Sequence, residues 1–234
     1  MFEDAIRYPW QGDEKVTTLL LGGVLGLLGF LLIPAILVLG YLVRVVRQVE
    51  AGDRERPPTF EDWGDLLIDG LVATLVAIVY TLVPTAAVVL LAVSVLFPFT
   101  VVQEGGAAMA QTGPSLLGLL ALLVAAGLTL LVVVASLYLL PAAVAAYAVT
   151  GRLGAAFSPG TLRRIGGSGA YPVAWLVAVA IGILAQLVGG ALAATVVGAL
   201  LLPVVSFYGN VAGAYAIGRG VSDLDLSRRG TTGQ

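Results

Sequence analysis

From Gly70 to Gln103 the chain reads GLVATLVAIVYTLVPTAAVVLLAVSVLFPFTVVQ, without one charged side chain. A bilayer core is about 30 Å thick, and about 20 apolar residues make one helical crossing. In hydrocarbon each backbone polar group must be paired within its own segment, which makes such a run an α-helix. Three further stretches share the property: Val16–Val43, Gly105–Gly151 and Ile165–Gly218. The last is long enough for two crossings. The chain therefore reads as an all-α, polytopic transmembrane helix bundle of about five Pro-kinked spans. These start near residues 16, 66, 115, 172 and 191, with short amphipathic interfacial helices between them.

Composition excludes most other classes. The chain has 234 residues, 59% hydrophobic and 11% charged, where a soluble domain carries about 25% charge. No polar segment is large enough to bury a core of its own. Residues 1–220 are expected to form a single transmembrane domain, and 221–234 a polar, disordered cytoplasmic tail. There is no Cys and no His. Disulfides, thiolate chemistry, imidazole bases and the usual zinc, haem and iron–sulfur ligands are thereby removed. A carboxylate-only Mg or Ca site at the surface stays open, but no cofactor or metal is expected. One Lys, eleven Arg and a pI near 5.0 suggest a salt-adapted microbe such as a halophilic archaeon.

The N-terminal region, Met1 to Lys15, reads as an interfacial segment. Phe2, Ala5 and Ile6 share one helix face, Pro9 ends that helix, and Tyr8 and Trp10 suit the headgroup zone. The next apolar stretch is too long for a signal-peptide core and is expected to stay in the membrane. Gly22 and Gly26 give it a close-packing face, and Pro34 is expected to kink it. In loop one, Thr59 to Asp62 has capping-box spacing, so a helix is expected to start there. Phe60, Trp63 and Leu67 would share its apolar face. Pro98 is expected to end the second span, and Glu104 is the only charge before the third, which Pro141 kinks. Ser158-Pro159 reads as a helix start, followed by Arg163 and Arg164 and ended by Gly166, Gly167 and Gly169. Gly189-Gly190 is the expected turn in the last stretch. Gly209 and Gly213 repeat the close-packing spacing.

Arg and Lys counts set the expected topology. Loop one (44–69), loop two (152–171) and the C-terminus together carry ten Arg; only Arg7 and Lys15 lie elsewhere. Five spans place these loops and the C-terminus in the cytoplasm of a multi-pass cell-membrane protein, with the N-terminus outside. A re-entrant first segment turning at Pro34 is the alternative, and it brings the N-terminus inside. A Pro–Tyr–Arg order recurs at Pro34, Tyr41 and Arg44, at Pro141, Tyr147 and Arg152, and more weakly at Pro203, Tyr208 and Arg219. It fits either an internal repeat or ordinary interfacial anchoring.

No ionisable residue lies at mid-span. Asp69 comes nearest, and is read as a helix-start carboxylate favoured by the helix dipole. The neutral polar positions of interest are Tyr80, Thr81, Gln186, Tyr208 and Asn210. They would serve as interhelical hydrogen-bonding groups or line a polar cavity. Nucleotide-binding, zinc-protease and serine-hydrolase motifs are absent. Glu61, Asp62, Asp65 and Asp69 lack the paired spacing of metal-dependent lipid enzymes and read as a solvated acidic face. No catalytic residue is assigned.

Four stretches carry a family resemblance. They are Arg7-Tyr8-Pro9; Ile33-Pro34 with Gly40-Tyr41-Leu42-Val43-Arg44; Pro57-Pro58-Thr59-Phe60-Glu61-Asp62-Trp63 with Asp69-Gly70; and Ser206-Phe207-Tyr208 with Gly218-Arg219-Gly220. From Phe2 to Gly220 the chain resembles an archaeal, largely haloarchaeal, integral membrane family. That family is number four-zero-one-three in the domain-of-unknown-function series. The resemblance implies an archaeal plasma-membrane protein and supplies no activity. The expectation is a non-enzymatic membrane scaffold or accessory subunit. Its partners would be the lipid bilayer and another membrane protein or a second copy, with no nucleic acid. The alternative is a transporter or permease-like protein for a lipid or small neutral solute.

Overall fold

A computed structural model describes residues 1–12, 14–105, 116–224 and 226, with side chains for all of these except 96–105 and 117. The helices among them are α1 (Phe2–Arg7), α2 (Lys15–Leu27), α3 (Leu32–Glu50), α4 (Trp63–Gly105), α5 (Leu116–Thr150), α6 (Leu153–Ala156), α7 (Pro159–Gly166), α8 (Ala170–Ala193) and α9 (Val196–Val221). There is no strand among the described residues. Five helices are long and apolar enough to cross a membrane: Leu32–Glu50, Trp63–Val95, Gly118–Thr150, Ala170–Ala193 and Val196–Val221. The all-α multi-span reading is borne out. Two compact units divide the chain, residues 1–76 with 141–234, and residues 77–140.

The first unit is built on α9. Its α8 partner packs antiparallel to it through small residues: Gly209 against Ala185, Gly213 against Ala178 and Gly220 against Ala174. The expected Gly209–Gly213 face is thus in use. Gly189-Gly190 does not make the turn, since α8 runs on to Ala193. The reversal falls at Ala194–Thr195, where Thr195 Oγ1 accepts the Gly198 N–H at 3.0 Å as a helix N-cap.

The first apolar stretch also differs from expectation. It is two helices, not one kinked at Pro34. After α2 a single 3₁₀ turn at Leu28–Phe30 leads to Leu31, whose φ of −87° and ψ of 131° are extended, and α3 starts at Leu32. Pro34 lies in the first turn of α3, where its missing N–H has no helical acceptor to lose. Along α2, Gly22 meets Phe207, Gly23 meets Val204 and Gly26 meets Pro203, so α2 runs antiparallel to α9. Along α3, Tyr41 meets Phe207 and Val49 meets Gly218, so α3 runs parallel to α9. The pair is a helical hairpin with both open ends at the end that bears the charged loops. Tyr8 confirms the placement, because its hydroxyl donates to the Arg56 carbonyl of loop one at 3.3 Å. Its ring packs on Tyr215 at 4.6 Å, and burial pushes the phenol far above its usual titration range. The N-terminus and loop one therefore share one end of the unit, unlike in the five-span scheme with the N-terminus outside.

Two other boundaries move. The α4 backbone stays helical through Pro98 to Gly105. At its start, Thr59 does not cap a helix, which begins at Trp63 after Asp62 at a φ of 52°. The reason is Arg44. Its Nη1 donates to the carbonyls of Thr59, at 3.4 Å, and Glu61, at 2.8 Å, holding residues 59–61 out of helix. Loop two follows its sequence reading: Ser158 Oγ accepts the Thr161 N–H at 3.4 Å and α7 starts at Pro159. Glu104 has a described backbone only, and residues 106–115 of the connection lie outside the described residues, as do residues 225 and 227–234 of the tail.

Candidate functional site

The densest polar arrangement lies where α3, α4 and α5 meet within the first unit. Arg47 Nη1 donates to Asp69 Oδ2 at 2.8 Å and Nη2 to Oδ1 at 3.0 Å, a two-pronged ion pair. Arg47 Nε donates to the Ala148 carbonyl at 2.9 Å, and the Tyr147 hydroxyl donates to Asp69 Oδ1 at 2.7 Å. Asp69 is 7% exposed. It stands nearly two turns inside α4, too deep for the helix dipole, whose effect fades within the first turn. The helix-start reading of Asp69 is therefore replaced by a three-residue polar lock. Each oxygen already accepts a charge-assisted or phenolic hydrogen bond, an arrangement that fixes helices in place.

Directly beside the lock, the α3 and α4 backbones touch. A Cβ on Gly40 would lie 1.9 Å from the Leu66 carbonyl oxygen, and one on Gly70 would lie 1.9 Å from that of Ile36. Farther along, the Tyr41 hydroxyl donates to the Pro58 carbonyl at 2.9 Å, and its ring stacks on Phe60 at 4.5 Å. Phe60 also lies near Trp63 and Phe207. The apolar face expected at Phe60 and Trp63 is thus present, though Trp63 stays 46% exposed. Replacing Tyr41 with Phe keeps the ring stack and leaves the Pro58 carbonyl without a donor. The expected cost is about 1–2 kcal/mol, read as a lower melting temperature of the detergent-solubilised protein.

The polar candidates of the first unit do not converge. Tyr80 and Thr81 belong to the second unit. The Thr81 hydroxyl donates back to the Ala77 carbonyl of its own helix at 2.7 Å. Tyr208 donates to the Ile6 carbonyl and so ties α1 to α9. Gln186 is exposed on α8, one residue beyond the Ala185 that touches Gly209. Asn210 borders an open cavity of about 340 Å³, shared with Ser206, Gly26 and Val38. Gln186 does not reach it. Among the described residues no group of three or more Asp or Glu could hold a metal ion.

The three tyrosines of the Pro–Tyr–Arg pattern act differently. Tyr41 ties loop one, Tyr147 completes the lock and Tyr208 ties α1. The sequence pattern thus marks anchors without equivalent contacts. Sequence reading missed the partners of Asp69 because Arg47 and Tyr147 are 22 and 78 residues away from it. The available signal was an acidic residue inside an apolar helix within reach of an Arg on the preceding one.

No curated protein and no solved structure matches the chain. A family model described as a protein of unknown function (DUF4013) matches residues 27–194. The matched span holds two of the stretches that carry the resemblance, with Gly40, Tyr41, Arg44, Pro58, Phe60, Asp69 and Gly70, and also Arg47 and Tyr147. The chain belongs to the DUF4013 family of proteins of unknown function.

Proposed function

We propose that this multi-pass protein is a non-enzymatic scaffold or accessory subunit of the cell membrane, with loops one and two and the C-terminus in the cytoplasm. One observation carries the reading: a set of strong polar groups of the first unit holds helices and loops together. Arg44, Arg47, Asp69, Tyr41, Tyr147 and Tyr208 all bond to other segments of the chain. A path for a polar solute or a catalytic centre needs such groups facing a shared cavity. An Arg-rich, acidic composition supports a salt-adapted archaeal source. The test is mild affinity purification from native membranes with mass spectrometry of all retained protein and lipid. A stoichiometric protein partner is expected. Recovery of the chain alone, with a solute flux in reconstituted vesicles, overturns the reading in favour of the transport alternative.

The hairpin refines the topology. Only Leu32 to Val43 of α3 is free of charge, about 18 Å of helix, short of a bilayer core. Near the turn end of the hairpin, Gly26 of α2 packs at Pro203, seven residues or about 10 Å inside the start of α9 at Val196. The tip is apolar, with Phe30 and Leu32 each 80% exposed. The hairpin is read as re-entrant, with four full crossings by α4, α5, α8 and α9. Arg7 and Lys15 then join the other basic residues on the cytoplasmic side, which satisfies the positive-inside bias more fully than five crossings do. In this Cys-free chain, Glu14→Cys, Glu55→Cys and Gly160→Cys are each expected to react with a membrane-impermeant thiol reagent from the same side. Labelling of Glu14→Cys from the opposite side sinks the re-entrant arrangement.

A further inference from the structure

We propose that loop two docks on the anionic lipid headgroups of its own leaflet, with lipid phosphate held by Arg152 and Arg163. The proposal goes beyond the accessory role and does not depend on it.

Charge segregation is the first argument. From Gly105 to Ser222 the chain holds no Asp or Glu, yet loop two carries Arg152, Arg163 and Arg164. The protein as a whole is acidic, with a net charge of −2. Loop one is different: its four Arg stand among seven Asp and Glu. Three of those Arg are also taken up by the fold. Arg44 donates to the Glu61 carbonyl, Arg47 to Asp69 and Arg54 to the Ser222 hydroxyl at 3.4 Å. Arg152 and Arg163 are exposed, and neither guanidinium has a hydrogen-bond or ion-pair partner among the described residues. Loop two thus presents basic charge with no acidic residue of its own to balance it.

Location is the second. α5 ends at Thr150 and α8 starts at Ala170, and both helices are long and apolar enough to cross a membrane. Loop two is therefore tethered at both ends to the membrane surface. It is a folded segment rather than a slack one. Gly151, at a φ of 65°, follows the end of α5, Ser158 caps α7, and Ser168 Oγ accepts the Tyr171 N–H at 3.2 Å. On α7, Ile165 is buried while Arg163 and Arg164 are exposed. Leu153 and Phe157, between Arg152 and Arg163 in the sequence, stay 38% and 37% exposed. Basic residues interleaved with apolar ones suit a segment lying at the headgroup boundary.

The third argument is chemical. A guanidinium is planar and always charged, and its fork of N–H donors matches phosphate oxygens. Anionic lipid attracts basic segments next to a span, over a range of about one Debye length. The acidic loop one of a second copy is the competing partner. It offers carboxylates but nothing for the exposed Leu153 and Phe157, whereas a lipid surface meets both the charge and the apolar side chains.

The test uses the full chain reconstituted in phosphatidylcholine vesicles. Spin-labelled phosphatidylglycerol and spin-labelled phosphatidylcholine are compared for the fraction immobilised by the protein. The parent protein is expected to prefer phosphatidylglycerol, and high salt should weaken that preference. Arg152→Gln combined with Arg163→Gln should reduce it about fivefold or more, since about 1 kcal/mol per basic residue corresponds to about fivefold. Arg152→Lys combined with Arg163→Lys should keep most of it, because charge near the surface is retained. Arg56→Gln, in loop one, should leave it unchanged. Unchanged melting temperatures establish that the variants are folded. A preference for phosphatidylglycerol that survives the double Gln substitution, or no preference in the parent protein, overturns the proposal. So does efficient disulfide crosslinking of Arg163→Cys to Glu55→Cys between two copies, which would make loop one of a second chain the partner.

Discussion

Gly70→Ala will lower the melting temperature of the detergent-solubilised protein by about 6–12 °C. The added methyl carbon would lie 1.9 Å from the Ile36 carbonyl oxygen, 2.8 Å from that carbonyl carbon and 2.8 Å from Ile36 Cγ2. Two of these neighbours are backbone atoms of a helix, which cannot rotate away. Relief requires α3 and α4 to separate. Overpacking usually costs about 1–3 kcal/mol, and a clash of backbone against Cβ belongs at or above the upper end. For a chain of this size about 1 kcal/mol corresponds to about 2–4 °C. Gly40→Ala meets the Leu66 carbonyl at the same 1.9 Å and should behave alike. Such an approach also permits Cα–H···O contacts that a side chain would break. Gly64→Ala is the control, on the same α4 helix with nothing within 4 Å of its Cβ. Alanine favours helix over glycine by up to about 1 kcal/mol, so that variant should melt no lower than the parent. Equal melting of Gly64→Ala and Gly70→Ala would remove the crossing from the account.

Much of this architecture is legible from residue order because hydrocarbon imposes it locally. Runs without charge long enough to cross a bilayer must be helical, and four of the five expected spans lie close to where the helices form. Ser158-Pro159 starts α7 because cap and ring geometry involve only neighbouring residues. The failures come from contacts and breaks that the local spacing does not encode. Thr59 has the spacing of a cap, yet Arg44 on α3 captures the carbonyls of Thr59 and Glu61, and the helix waits until Trp63. Pro34 has the chemistry of a kink, yet the break comes earlier, at Leu28–Leu31, and frees Pro34 to sit in a first turn. Gly189-Gly190 has the flexibility of a turn, but Gly189 packs on Leu202 and the Thr195 cap sets the reversal. Gly40 and Gly70 carry no signal of a mutual crossing when read singly. Among the polar candidates of the first unit, Asn210 borders the cavity beside Gly26 and Val38 while Gln186 does not, because a helix face is decided by the neighbour it packs on.

Asp69→Asn should cost about 2–3 kcal/mol, or about 4–12 °C in melting temperature. Removing one partner from a buried ion pair costs about 3–5 kcal/mol, since the remaining charge is left without compensation. Here the Arg47 side chain is 41% exposed and Asp69 10%, so water offsets part of the loss and the lower range applies. Asparagine keeps the shape and can still accept from Tyr147, but its amide nitrogen meets the guanidinium donor to donor. Tyr147→Phe should cost about 1–2 kcal/mol by removing the phenolic bond to Oδ1. The two effects should fall short of additive by about 0.5 kcal/mol or more, because both act on one carboxylate. Arg47→Met with Asp69→Leu should recover most of the stability, as apolar replacement of a buried pair often does. That recovery separates a lock from a functional charge: a lock tolerates apolar exchange with partner binding intact, and a functional charge does not. If Asp69→Asn melts with the parent protein, the contacts among Arg47, Asp69 and Tyr147 do not hold α3, α4 and α5 together. The Gly40–Gly70 approach would then carry more of the crossing, and its variants should show correspondingly larger losses.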